Sequence, residues 1–258
     1  MIKEKTSKRP ISLFESNIIK SSRYSVRFAR NQNEVNEALK LRFEVFNLEL
    51  GEGLQKSFDL KMDIDKYDQQ CDHLIVIENE TGRIIGTYRM QTSEHAQKGE
   101  GFYTSEEFRL NELPQKVLSD AVELGRACIA NGRVLFLMWK GLAEYIKEMN
   151  KRYLFGCCSV MSQDPYKGAS VEKYLSENKY YHPDYFVQTT EEYICKISPD
   201  DKSRDLPAVE LPPLFRLYLE LGTLVCSPPA MDKNFKTIDF LILLDAENLN
   251  EKSKALFF

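Results

Sequence analysis

The chain reads as one α/β domain with a mixed central sheet flanked by helices, and three features of the sequence say so. Helix-period and strand-like runs alternate along most of its 258 residues. Two neighbouring strand runs are joined closely enough for an antiparallel hairpin, and a later strand, helix and strand in succession imply a parallel crossover. With 43% hydrophobic residues the chain can bury a sizeable core. No repeat and no Gly/Ser linker divides it.

Taken in order, "YSVRFAR" (24–30) alternates as a strand. Asn31 followed by Glu34 is a capping signal for a helix that carries Val35, Leu39, Arg42, Val45 and Phe46 on one side until Gly51 and Gly53 end it. "KMDIDKYDQQCDH" (61–73) is then a loop dense in carboxylates. "DHLIVIEN" and "RIIGTYRMQ", separated by "ETG", form the hairpin. "AVELGRACI" (121–129) is a strand, "VLFLMWKGLAEYIKEMN" (134–150) a helix and "YLFGCCSV" (153–160) a buried strand. A short helix at 169–178, a strand near 191–197, the helix "LFRLYLELGTLV" and a last strand "DFLILLD" follow. Residues 1–22 stand apart as a basic arm before a domain of residues 23–258, whose tail from about residue 200 is an extension.

A net charge of −4 gives no global reason to expect nucleic acid as a partner. The first 30 residues hold eight bases and two acids, so a basic arm precedes an acidic body. The six cysteines show no CxxC pair and no zinc-module spacing, which implies buried reduced thiols. The chain has no N-terminal apolar signal segment, and "VLFLMW" and "FLILL" fall far below the roughly 18 residues of a spanning helix. The expected location is cytoplasmic. A stripe of Leu214, Leu217, Tyr218 and Leu221 offers a surface for peripheral contact with a membrane, although core packing is the commoner fate of such a stripe.

Two constellations carry charge into apolar surroundings. Asp63, Asp65 and Asp68 repel one another unless cations stand nearby, and Arg42 and Arg89 are the expected partners. The loop lacks the glycine and the bidentate glutamate of an EF-hand, so no metal is expected there. Glu123 and Arg126 interrupt an apolar strand, and buried charges need a cleft or a partner. On a regular strand they point to opposite faces; a bulge at Gly125 would bring them to one side.

Taken together, Arg42-x-x-x-Phe46, Asp63-x-Asp65-x-x-Asp68, Gly86-x-x-Arg89 and Glu123-x-x-Arg126 resemble the acyl-homoserine-lactone synthases. The closer resemblance is to the ornithine-lipid and glycine-lipid N-acyltransferases, hemolysin-like proteins of the GNAT fold. It is carried by "CDHL" (71–74), "TGRIIGTYR" (81–89), "ELGRAC" (123–128), "MWKGLAEY" (138–145), "LPPLFRLYLELG" (211–222) and "PAMDKNFKTIDFLILLD" (229–245). The resemblance implies a GNAT-like fold and transfer of a 3-hydroxy fatty acyl chain from acyl carrier protein to the α-amino group of ornithine or glycine, giving a lyso-aminolipid. It implies a site with Glu123, Asp63, Asp65 and Asp68 as catalytic carboxylates and Arg42, Phe46, Arg89, Arg126 and Trp139 binding substrate. No metal is implied, and no cofactor beyond the phosphopantetheine thioester of the carrier protein.

The residues supply a check on the donor. Enzymes of this fold that use coenzyme A grip its pyrophosphate with backbone N–H groups in a glycine-rich turn opening the helix after the central strand. Here "NGRVLFLMWKGL" has Arg133 but apolar Leu135 to Met138 where glycines are needed, which fits a carrier-protein donor. The α-ammonium must lose a proton before it attacks, and Glu123 is the expected base. No histidine pairs with Cys128, Cys157 or Cys158 in the sequence pattern, which disfavours an acyl-cysteine route. A homoserine-lactone-type synthase and a coenzyme A-dependent acyltransferase are the alternatives; a non-enzymatic lytic protein fits the motifs less well.

Overall fold

A computed structural model describes residues 19–129, 134–198, 204–249 and 253–254. Most of the expected basic arm, and Asn131 to Arg133 of the expected donor turn, lie outside the described residues. A two-residue strand β1 (Ile19–Lys20) pairs with β2 (Tyr24–Phe28) before helix α1 (Gln32–Arg42) begins. Asn31 opens α1 as expected: its side chain accepts the Glu34 N–H at 3.1 Å, and Glu34 takes the Arg30 N–H in return. Beyond Arg42 the helix widens into a π-helical segment, Phe43–Leu50, which Gly51 ends in the left-handed region at φ 70°. The carboxylate loop then contains one short helix, α2 (Ser57–Leu60).

The hairpin forms as β3 (Asp72–Glu78) and β4 (Ile84–Thr92), followed by two short helices, α3 (Ser93–Lys98) and α4 (Gln115–Ser119). Strand β5 (Ala121–Ile129), helix α5 (Leu135–Glu148) and strand β6 (Tyr153–Met161) make the parallel crossover. The helix expected at 169–178 starts earlier, as α6 (Pro165–Glu177), because Asp164 caps it by accepting the Tyr166 N–H and Pro165 occupies the first turn. No strand forms near 191–197. Glu191–Tyr193 is one turn of 3-10 helix, and Ile194 makes a single bridge to Ala230. The helix expected across 214–225 is shorter, α7 (Pro213–Glu220); Gly222, at φ 94°, turns the chain into β7 (Leu224–Val225).

Strands β8 (Ala230–Asp232) and β9 (Thr237–Asp245) complete one sheet in the order β1-β2-β3-β4-β5-β6-β9-β7, with β8 also on β9. Pro228 and Pro229 stand between β7 and β8, and neither can donate to a ladder. The ladder is bridged there by Ser227, whose hydroxyl accepts the Leu241 N–H at 2.9 Å. The tail is thus built into the sheet, with β9 antiparallel to β6 along its whole length.

Alternation along β4 explains the division of faces. Tyr88 and Met90 join the large core under α5, α6 and α7, with Val122, Leu154, Phe215 and Phe240. Arg89 and Gln91, on the opposite face, meet polar partners on the side of α1. The stripe of Leu214, Leu217, Tyr218 and Leu221 packs into or against the large core. Within the described residues no helix is long and apolar enough to cross a membrane.

Strands β5 and β6 pair only from Ala121↔Tyr153 to Glu123↔Phe155, and then part. Beyond that point β5 follows β4 while β6 follows β9. The gap is a narrow cleft, with a cavity volume of about 20 Å³, bordered by Leu124, Phe155, Gly156, Cys157, Trp139 and Tyr218 among others. Gly156 is obligatory at the parting point, since a Cβ there would run into the backbone carbonyl oxygen of Leu124. Gly156→Ala is expected to destabilise the fold by about 1–3 kcal/mol through overpacking against backbone. Urea denaturation checks this, with a lowered midpoint at unchanged slope as the expected result.

Candidate active site

The carboxylate loop is pinned by three arginines. Arg42, fully buried at the end of α1, donates from Nε to Asp63 at 2.8 Å and from Nη1 to Asp68 at 2.6 Å. Arg89 from β4 reaches Asp65 at 2.6 Å and Asp68 at 3.1 Å through the same nitrogen. Arg126 closes the set, with Nη2 at 3.1 Å from Asp65 and Nε at 3.4 Å from Asp63. Asp68 also accepts the Asp65 N–H at 2.8 Å, and Asp65 that of Tyr67. Burial alone would push these carboxyls up, but the guanidinium groups win: Asp65 and Asp68 both lie below the usual carboxylate range. The His73 ring beside them is pushed down to about 4 by burial, so it is neutral near pH 7.

Glu123 and Arg126 do not pair with each other. Thr104 N–H donates to Glu123 Oε1 at 2.7 Å, while Oε2 accepts from the Tyr103 N–H and the Gln91 side chain. The bulge expected at Gly125 lies one step further along. The register with β4 shifts between Arg89↔Gly125 and Thr87↔Cys128, and Arg126 itself takes the left-handed conformation at φ 54°. That twist turns Arg126 to the face that Glu123 occupies. Its guanidinium lies over the rings of Tyr103, at 4.7 Å, and Phe235, at 4.2 Å.

The remaining expected residues sit at the margins. Trp139 borders the cleft and packs edge-on against Tyr218, whose hydroxyl is hydrogen-bonded to that of Tyr88. Phe46 is half-buried against Leu41, Val45 and Cys128, beside the network. Burial pushes the Cys128 thiol up to about 12 and holds those of Cys157 and Cys158 well above the usual range, which opposes thiolate chemistry at all three.

Sequence reasoning missed two things. Gln91, on β4, and the N–H groups of Tyr103 and Thr104, in a turn that no sequence pattern marks, hold Glu123. Glu107, Asp232 and Asp239 converge as a second, fully buried acidic group whose carboxyl oxygens lie within 4.8 Å of one another. Two of the three were visible in "PAMDKNFKTIDF", as a quoted motif without a role. Burial and the neighbouring acids hold Glu107 well above the carboxylate range, and burial raises Asp239 to about 6.

Comparison with known proteins agrees with this geometry. Residues 41–140 match the family described as the acetyltransferase (GNAT) domain. The L-ornithine N(alpha)-acyltransferases of Brucella abortus (strain 2308) and Rhizobium meliloti (strain 1021) are each 29% identical to the chain. The first match covers 88% of this chain and 86% of that protein; the second covers 84% and 78%. The solved structure of FeeM, an N-acyl amino acid synthase from uncultured soil microbes, shares the fold. Its TM-score is 0.50 at 11% identity, over 90% of this chain and 98% of that one.

Arg42→Met removes the cation that Asp63 and Asp68 share, and its expected cost is about 3–5 kcal/mol, because two buried carboxylates lose a partner. Chemical denaturation at neutral pH measures it. Asp239 gives a pH signature of opposite sign to that of the network. Its carboxyl is raised, so the stability it contributes is fully present below an unfolded value of about 4 and is lost as pH rises through the folded value of about 6. Asp239→Asn removes that loss. The Tm of the variant relative to the parent is expected to climb as pH rises from about 4 to about 7.

Proposed function

We propose that this acyltransferase of the GNAT fold moves a fatty acyl chain from a carrier-protein thioester to the α-amino group of an amino acid, as an N-acyl amino acid synthase. The observation that carries the reading is the position of Glu123, the last residue of β5 paired with β6, at the point where the cleft opens. A pantetheine arm laid in that cleft would run beside the part of β5, from Leu124 on, that has lost its β6 partners. Its thioester carbonyl would then meet unpaired main-chain N–H groups, the donors that a tetrahedral oxyanion requires. Glu123, fixed by three donors, takes the ammonium proton directly or through one water.

In this reading the amino acid enters from the side of α1, where the arginine and aspartate network shapes the wall. The likeness to two L-ornithine N(alpha)-acyltransferases supports an amino-acid acceptor. The absence of glycine from the first turn of α5, Leu135 to Met138, supports a donor that presents one phosphate rather than a pyrophosphate. The basic arm is suited to an acidic carrier protein, and an amphiphilic product suits an enzyme that works in the cytoplasm beside the inner face of the membrane. No metal ion takes part in this scheme.

Glu123→Gln is expected to lower kcat by roughly 10²-fold near neutral pH, with partial recovery as pH rises and the amine arrives deprotonated. A variant that turns over normally would remove Glu123 from the chemistry. Carrier-protein thioesters are expected to exceed matching coenzyme A thioesters in kcat/KM, and equal values for the two would overturn the assignment of the donor.

A further inference from the structure

Two of the three donors that hold the Glu123 carboxylate come from a single turn. The N–H groups of Tyr103 and Thr104, at 3.1 and 2.7 Å from its two oxygens, belong to the 3-10 turn Tyr103–Glu106. The turn has anchors of its own: Phe102 packs edge-on against Phe155 of β6, and the Tyr67 hydroxyl donates to Glu106 at 2.8 Å. Glu107 ends the turn, with its N–H on the Thr104 carbonyl at 3.2 Å, and sends a fully buried side chain into the interior. There the carboxyl is hydrogen-bonded to Asp239 on β9, and its Oε1 accepts the Cys157 thiol of β6 at 3.6 Å.

Two carboxyl groups share a hydrogen bond only when one of them keeps its proton, because an ionised carboxylate has acceptors alone. The neighbours decide which one. Asp239 accepts from the hydroxyls of Thr237, at 3.2 Å, and Ser159, while Asp232 beside it accepts the N–H groups of Asn234 and Phe235 at 2.7 and 3.0 Å. Those donors suit anions. Apart from Asp239, the Glu107 carboxyl meets only a thiol, a weak donor, among the described residues. An ionised Glu107 would be both desolvated and repelled there, and burial first, then Asp239 and Asp232, hold its carboxyl well above the usual range.

We infer that Glu107 is a positioning residue for Glu123: it carries a proton, donates it in a hydrogen bond to Asp239, and so anchors to β9 the turn whose N–H groups hold the Glu123 carboxylate. This rests on the role proposed above for Glu123 and deepens it. Glu107 touches no substrate in this scheme and acts through the turn. Its protonated carboxyl ties the turn to β9, whereas an ionised one would repel Asp239 and push the turn away. A moved turn takes the Tyr103 and Thr104 N–H groups with it, and a base displaced by about 1 Å costs on the order of 10²-fold in rate. Gln91 and the contacts of Phe102 and Glu106 remain when Glu107 is changed, so the expected loss is smaller than that.

Glu107→Gln and Glu107→Met separate the donated hydrogen bond from the shape of the side chain. Glutamine is neutral and offers Asp239 an N–H, while methionine has a similar length and no such donor. Two readouts are taken on the intact chain: acylation of an amino acid from a fatty acyl carrier-protein thioester, and hydrogen exchange at the Tyr103 and Thr104 amides by NMR. Glu107→Gln is expected to keep kcat within about threefold of the parent and both amides protected. Glu107→Met is expected to lower kcat by about tenfold at nearly unchanged KM, with faster exchange at both amides. Glu107→Gln as impaired as Glu107→Met would overturn the protonated donor, and Glu107→Met with the parent's kcat and exchange would overturn the anchor. Faster exchange in Glu107→Met at the parent's kcat would uphold the anchor and remove Glu123 from the chemistry, so the two readings fail separately. Infrared spectroscopy needs no variant and stands even where a substitution impairs folding. At about pH 8, above the value of about 6 at Asp239, the unmodified chain is expected to show the carbonyl band of a protonated carboxylic acid, and absence of that band would overturn the proposal.

Discussion

The buried guanidinium of Arg42 is the constraint around which this face of the sheet is arranged. A charge with no exposure is tolerated only when its partners are complete, and Asp63 and Asp68 complete it. Those two aspartates come from a loop with little regular structure, so the ion pairs, more than any backbone ladder, hold the loop against α1. Arg89 and Arg126 then extend the same balance to β4 and β5. Four segments distant in sequence are brought together by one neutral arrangement of charges. Its energetic value lies less in the attraction itself than in the cost of leaving any member alone.

Much of this was legible in the sequence. The strands and the principal helices follow from periodicity, and the cap at Asn31 from residue type alone. The pairing of the aspartates with Arg42 and Arg89 follows from repulsion among three close carboxylates. What was not legible depends on events far away in the chain. Arg126 reads as the companion of Glu123 because they are three residues apart, yet the positive φ at Arg126 points it to the loop instead. The residues near 191–197 have strand-like composition but only one bridge, because Glu191–Tyr193 turns as 3-10 helix and Ile194 meets only Ala230, on the three-residue β8. Glu107 joins Asp232 and Asp239 across more than a hundred positions, a distance over which no local pattern operates.

The site also combines rigidity and opening in the same strand. Up to Glu123, β5 is held by neighbours on both sides; from Leu124 on it has β4 alone. The change from two partners to one occurs beside Glu123, the carboxylate proposed as base, so that side chain stands on backbone held from both sides while the strand beyond it is free on one edge. Loops from 103 to 107 and from 232 to 237 frame the other side. Polar groups from three separate parts of the chain thus meet at one end of a short pairing.

The position of β9 bears on how the protein is made. Tyr153 lies opposite Asp245 and Met161 opposite Thr237, so β6 leaves the ribosome long before its partner is synthesised. At translation rates of about 5–20 residues per second, the nascent chain carries that apolar edge open for several seconds. An unpaired strand of this kind is a template for intermolecular pairing. A polypeptide cut short of Thr237 would keep strands β1 to β6 with the edge of β6 left open, and would be prone to aggregate.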